Sequence, residues 1–185
     1  MHKMAKIDFR LATAADAHVL AELHLASWRV CYGHLLNARY LESRAALDER
    51  LAFWRQQLAD VGKRIEVGVC AGQVVAMCHA DAQADATGEV FIDNLHVLPA
   101  FQGQGLGQRL MARQLDAVEQ QGGCSRVALT VVEGNLPARG FYRAKGGVEE
   151  PHGEHRYGDG SVLPLLRVVW DDPAAMRAKV ARAAA

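Results

Sequence analysis

The chain has 185 residues, and 21 Lys and Arg balance 21 Asp and Glu, for a formal net charge of zero. Half of it is hydrophobic and 23% is charged, a globular balance that excludes a disordered chain. Neutrality argues against a nucleic-acid partner, which calls for a basic surplus, and no apolar run reaches the ~18–20 residues of a membrane-spanning helix.

The length fits one domain. We expect it over residues 1–173, followed by an Ala/Arg-rich tail at 174–185. Residues 6–11 alternate as a first strand. Thr13 or Asp16 is placed to cap the helix that follows, in which Val19, Leu20, Leu23, Ala26, Ser27 and Val30 form a stripe that Gly33 breaks. A second helix runs from Ser43 to about Asp60, with Leu47, Leu51, Trp54 and Leu58 on one face. Arg64–Ala71 and Val74–Ala82 read as a hairpin turning at Gly72-Gln73. Glu89–Val97 is the next strand, stopped by Pro99. Gly105–Gln121 is helical, with Gly122-Gly123 as its stop. Val127–Val132 is a short apolar strand, Asn135–Ala144 a short helix, Glu149–His155 a loop, and Val162–Trp170 a closing strand. The tail reads as a frayed helix. The order gives an α/β (α+β) layered domain.

Four cysteines, Cys31, Cys70, Cys78 and Cys124, show no CxxC spacing, and Met1–Lys6 has no signal-peptide layout. A cytoplasmic location with reduced thiols is the expectation. Glycine is uneven: 12 of 17 lie between Gly103 and Gly160. The densest stretch, Gln102-Gly103-Gln104-Gly105-Leu106-Gly107, follows Val97-Leu98-Pro99 and opens into the amphipathic helix. Helix-start N–H groups lack internal partners, the helix dipole favours negative charge, and glycine lets a pyrophosphate approach the backbone. A dinucleotide fingerprint would need Gly-x-Gly-x-x-Gly after a first strand. Here the third glycine comes one residue early, behind a meander.

These residues resemble the GNAT superfamily of N-acetyltransferases, whose phosphate loop is Arg/Gln-x-x-Gly-x-Gly/Ala after a strand ending Val-x-Pro. A second family segment matches at Asn135, Ala138, Phe141, Tyr142 and Gly146, but Gly147 replaces its closing aromatic. The resemblance implies a mostly antiparallel central sheet of about six to seven strands flanked by about four helices. It implies acetyl-CoA as co-substrate and a small-molecule or peptide amine as acceptor; no metal is expected from the spacing of the His and Glu residues, and a homodimer is the general default. The backbone of the strand at Leu95, His96 and Val97 would hold the pantetheine arm. N–H groups from Gln102, Gly103, Gln104, Gly105, Leu106 and Gly107 would hold the pyrophosphate, and Asn135 the pantetheine end. Tyr142 would protonate the leaving thiolate.

For the base the resemblance favours Asp93, two residues before Leu95. Alternation puts Phe91, Asp93, Leu95 and Val97 on one side of the strand and His96 on the other, so His96 competes only if a bulge reverses the parity. Trp28 and Tyr32, with Tyr40 nearby, are candidates to line the acceptor site, alongside Asp93. Glu149–His155 lacks the helical spacing of a zinc motif. The competing reading is a non-catalytic acyl-CoA sensor on the same fold. A toxin-type enzyme acting on charged tRNA would favour a basic face, which zero net charge opposes.

Overall fold

The structure, a computed structural model, describes residues 6–182; residues 1–5 of the expected domain and 183–185 of the expected tail lie outside that range. Among the described residues seven strands form one sheet: β1 (Ile7–Leu11), β2 (Lys63–Cys70), β3 (Gln73–Asp81), β4 (Glu89–Val97), β5 (Arg126–Val132), β6 (Val148–Arg156) and β7 (Val162–Trp170). Their spatial order is β1-β2-β3-β4-β5-β7-β6. Every neighbouring pair is antiparallel except β4 and β5. Six helices accompany them: α1 (Ala17–Tyr32), α2 (Ala38–Leu41), α3 (Arg44–Ala59), α4 (Leu106–Gln120), α5 (Leu136–Ala144) and α6 (Pro173–Arg182). The expected four become six because α2 is a single turn capped by Asn37, and because the tail is an ordered helix. Met176 and Val180 of α6 are buried in the core beside Leu115 and Trp170.

Each face of the sheet has its own apolar layer. On one, α4 buries Leu106, Leu110, Met111, Leu115 and Val118, a three-to-four-residue stripe, against Cys78, Ile92 and Leu129. On the other, Leu20 and Leu23 of α1 and Trp54 of α3 cover Val67, Val74 and Met77. A third cluster, with Leu25, Trp28, Leu41, Val132 and Tyr157, closes the end where α1 meets α2 and α3.

Two further details differ from the sequence reading. The β2–β3 turn is Ala71-Gly72, with φ of 48° and 83°, one residue before the expected position. Two positive φ values suit a two-residue hairpin in strands of right-handed twist. The segment expected as a loop at Glu149–His155 is part of β6, pairing with β7 across a bulge between Pro151 and Gly153. As the edge strand, β6 is exposed along nearly its whole length, so it carries no apolar alternation to betray it. The missing aromatic at Gly147 also has an explanation. A Cβ there would come within 2.5 Å of Val168 Cγ1 and 2.8 Å of Trp170 Cζ2, so Trp170 of β7 already fills the space.

Candidate active site

The parallel strands β4 and β5 pair only from Glu89↔Arg126 to Ile92↔Leu129, then part. At the point of parting, β4 carries a bulge: Ala80 faces Ile92 and His79 faces Asn94, leaving Asp93 unpaired. The extra residue reverses the side-chain parity beyond it. Ile92, Leu95 and Val97 all pack in the α4-side layer, while His96 turns toward α1. The strict alternation of Phe91, Asp93, Leu95 and Val97 is therefore corrected. Leu98 N–H donates to Val75 O on β3 at 2.9 Å, so alternation aims the Leu95 and Val97 peptide groups away from β3, at the gap. The Val97 carbonyl there accepts from Gln102 Nε2 at 3.0 Å.

The gap opens into a cleft of about 540 Å³, within the range of small-ligand sites. Its lining includes Asp93, Leu95, His96, Val97, Gln102, Gly103, Gly105, Leu106, Gly107, Asn135 and Tyr142, with Trp28 and Tyr32 of α1 opposite. Every expected site residue except Gln104 and Tyr40 is thus in one lining. A larger groove of 730 Å³ beside Leu58 and Arg113 holds none of them. Tyr40 stands apart, its hydroxyl donating to Glu49 Oε2 at 2.7 Å.

One end of the cleft is backbone. Gly103 and Gly105 have φ of 74° and 75°, a conformation that costs a side-chain-bearing residue about 1–2 kcal/mol. The start of α3 is capped by Ser43 and that of α5 by Asn135, but no side chain caps α4. The first α4 N–H to find a helical carbonyl is that of Arg109, bonded to Gly105 O at 3.0 Å. The N–H groups of Gly103 to Gln108 remain as donors for an anion, whereas that of Gln102, expected among them, donates to Pro99 O at 3.2 Å because it closes the preceding 3-10 turn. A Cβ on Gly103 would meet nothing within 4 Å, so the approach is open.

The other end is side chains. Ser27 Oγ donates to His96 Nδ1 at 2.9 Å, His96 Nε2–H to Asn94 Oδ1 at 3.3 Å, and Asn94 Nδ2 to Asp93 Oδ2 at 2.9 Å. His79 Nδ1 lies 3.2 Å from the same carboxylate oxygen. Burial holds the His96 imidazole down at about 4, with Asp93 pulling the other way. His96 is therefore neutral at pH 7, and both ring nitrogens are engaged. Tyr142 is buried, and burial pushes its phenol well above the usual range, so it keeps its proton. The same cause raises Tyr32 to about 12. It also raises the thiols of Cys31, Cys78 and Cys124, which disfavours a thiolate nucleophile.

Sequence reasoning missed Ser27, Asn94 and His79. The only signal for Ser27 was a hydroxyl within an apolar helical stripe. Asn94 and His79 meet Asp93 through the bulge, which no local pattern announces.

A sheet that opens beside an uncapped, glycine-rich helix start is the architecture of an acyltransferase fold. The chain belongs to the acetyltransferase (GNAT) family, whose model matches residues 18–146. Its fold is similar to PaiA N-acetyltransferase from Thermoplasma acidophilum in complex with coenzyme A, at 15% identity and a TM-score of 0.68 over 88% of this chain and 98% of that one. A GCN5-related N-acetyltransferase from Rhodopseudomonas palustris aligns at 18% identity and a TM-score of 0.70, covering 91% and 98%. The spermidine/spermine N-acetyltransferase SpeG from Vibrio cholerae gives 17%, 0.61, 89% and 92%. No curated protein sequence matches the chain. No helix among the described residues is long and apolar enough to cross a membrane.

Proposed function

We propose that the protein transfers an acetyl group from acetyl-CoA to a primary amine by direct attack in a ternary complex. The observation that carries this reading is the convergence of an uncapped, glycine-lined helix start, an open β4 edge and a protonated Tyr142 on one cleft. When bound, acetyl-CoA supplies the thioester. The N–H groups between Gly103 and Gly107 bind its pyrophosphate, and Leu95 and Val97 align the pantetheine arm as an added strand. An alkylammonium with a pKa of about 10.4 must lose a proton before it attacks. Asp93 accepts that proton, directly or through water. His96 is the poorer base because burial and its two hydrogen bonds hold it neutral. The new N–C bond forms and the C–S bond breaks; Tyr142 gives its phenolic proton to the departing sulfur and regains one from the acylated nitrogen, which sheds its extra proton to become a neutral amide. Asn135, at the start of α5, bounds the pantetheine end.

The test is thiol release by purified protein with acetyl-CoA and a panel of primary amines. Release that needs both partners, and falls in Asp93→Asn, supports the reading. Tight acetyl-CoA binding without release from any amine would leave the non-catalytic sensor in its place.

A further inference from the structure

Arg50 of α3 stacks on Trp28, a wall residue of the side-chain end of the cleft, and pairs with no carboxylate among the described residues. Its guanidinium carbon lies 4.9 Å from the centre of the Trp28 ring and 5.3 Å from that of Phe53. Its Nε is buried without a hydrogen-bond acceptor. None of the ion pairs among the described residues includes it. Arg64 also has an orphaned Nε, but Glu66 sits beside it. A half-buried cation stacked on aromatic faces, with no carboxylate, is a costly arrangement that a bound anion relieves.

Its neighbours tie it to the acceptor end. Trp28, under the guanidinium, lines the cleft. Tyr157, from the β6–β7 turn, packs 5.2 Å from Trp28 and 4.6 Å from His155. Phe53 is 6.2 Å from His79, which touches Asp93. His155 feels both charges: burial lowers it first, Arg50 adds to the lowering, and Asp93 opposes it. Asp93 and Trp28 both line the cleft, and the Arg50 guanidinium lies on the Trp28 ring.

We infer that the acceptor is a small primary amine that also carries a carboxylate, its ammonium end toward Asp93 and its carboxylate on Arg50. The inference rests on the proposed acetyltransfer and names its substrate class. It runs against a polyamine acceptor, whose distal ammonium groups would meet Arg50 as like charge. Arg50 acts here as a specificity residue, offering the planar donor fork that a carboxylate accepts in two parallel bonds.

The experiment uses matched substrates: ω-amino carboxylates of increasing chain length, the corresponding carboxamides, and spermidine. Thiol release is followed with acetyl-CoA saturating. The wild-type protein should favour the best carboxylate over its carboxamide by at least about tenfold in kcat/KM, the size of one charge-assisted contact. Arg50→Gln should collapse that ratio to near one, mainly through KM, and Arg50→Lys should restore part of it. A purely structural role for Arg50 would lower both members of a pair alike and overturn the inference. So would a wild-type preference for carboxamides or spermidine, which leaves the acetyltransfer reading standing. If acetyl-CoA binds and no amine releases thiol, that reading fails, and this inference with it. Melting curves check that the variants fold; if Arg50→Gln does not, the wild-type ratio alone decides.

Discussion

The two ends of the cleft are made of different material. At the α4 end, the groups that face the space are peptide N–H and bare Cα atoms from one run of six residues. At the α1 end they are side chains from α1 and β4, such as Ser27 and His96, which meet across 69 residues of chain. Backbone donors cannot titrate and do not depend on distant packing. The side-chain end does both: His96 and Asn94 are held together by a hydrogen bond, and the charge state of His96 follows its burial. The difference predicts that one end tolerates changes of pH and remote sequence, while the other is sensitive to both.

Acid should separate them most strongly. The unfolded chain takes up a proton on His96 near pH 6.5, whereas the folded protein resists until about pH 4. The stability associated with His96 is therefore full above about pH 6.5 and is lost as pH falls through that window, by up to about 3 kcal/mol. His24, fully buried beside it and lowered by the same desolvation, adds in the same direction. Thermal melts of wild type and His96→Gln between pH 7 and 4 check this, and the variant should lose distinctly less. Parallel curves would show that the imidazole is not the sensitive element.

The next largest effect concerns the junction of the two ends. Tyr142→Phe should lower kcat about a hundredfold, the low end for a general acid, because a thiol is already a fair leaving group. Stability should change little, since the phenolic oxygen makes no protein hydrogen bond among the described residues. A fall in melting temperature matching the fall in rate would assign Tyr142 to packing instead. At the backbone end, Gly105→Val forces a β-branched residue to φ 75° and places methyl groups over the N–H groups. Acetyl-CoA affinity should drop about thirtyfold, or ~2 kcal/mol, by calorimetry. The carboxylate-to-carboxamide ratio should not move, because no acceptor-end side chain has changed.

The same contrast explains what was legible in the sequence. The α4 end could be read because its chemistry is contiguous: Gly103, Gly105 and Gly107 adjoin, and the stripe Leu106, Leu110, Met111, Leu115, Val118 announces its helix. The strands β2, β3, β5 and β7 were visible through β-branched runs with a buried face. The strand β6 was not, since an exposed edge needs no apolar pattern. The bulge at Asp93 arises from the register of β4 on β3, a tertiary property, and it decides which way His96 points. Arg50 carried no local signal, because Trp28 and Phe53 meet it only in the fold. Ser27 read as one more stripe position until His96 turned to meet it.

Asn135 belongs to both ends, and this makes it the finest probe of the comparison. Its side chain accepts from Ala138 N–H at 3.3 Å and so caps α5, while the same buried residue lines the cleft. Asn135→Ala should cost about 1 kcal/mol of stability for the lost cap. It should also raise the KM for acetyl-CoA severalfold if its amide donates to the pantetheine. A serine caps a helix as well as an asparagine does but reaches less far and offers no amide. Asn135→Ser should therefore recover the melting temperature and leave the KM high. If serine restores both, Asn135 acts only by holding α5, and with it Phe141 and Tyr142, in place. The pantetheine end would then be bounded by backbone and packing alone, and the division between the two ends would be sharper than the shared residue suggests.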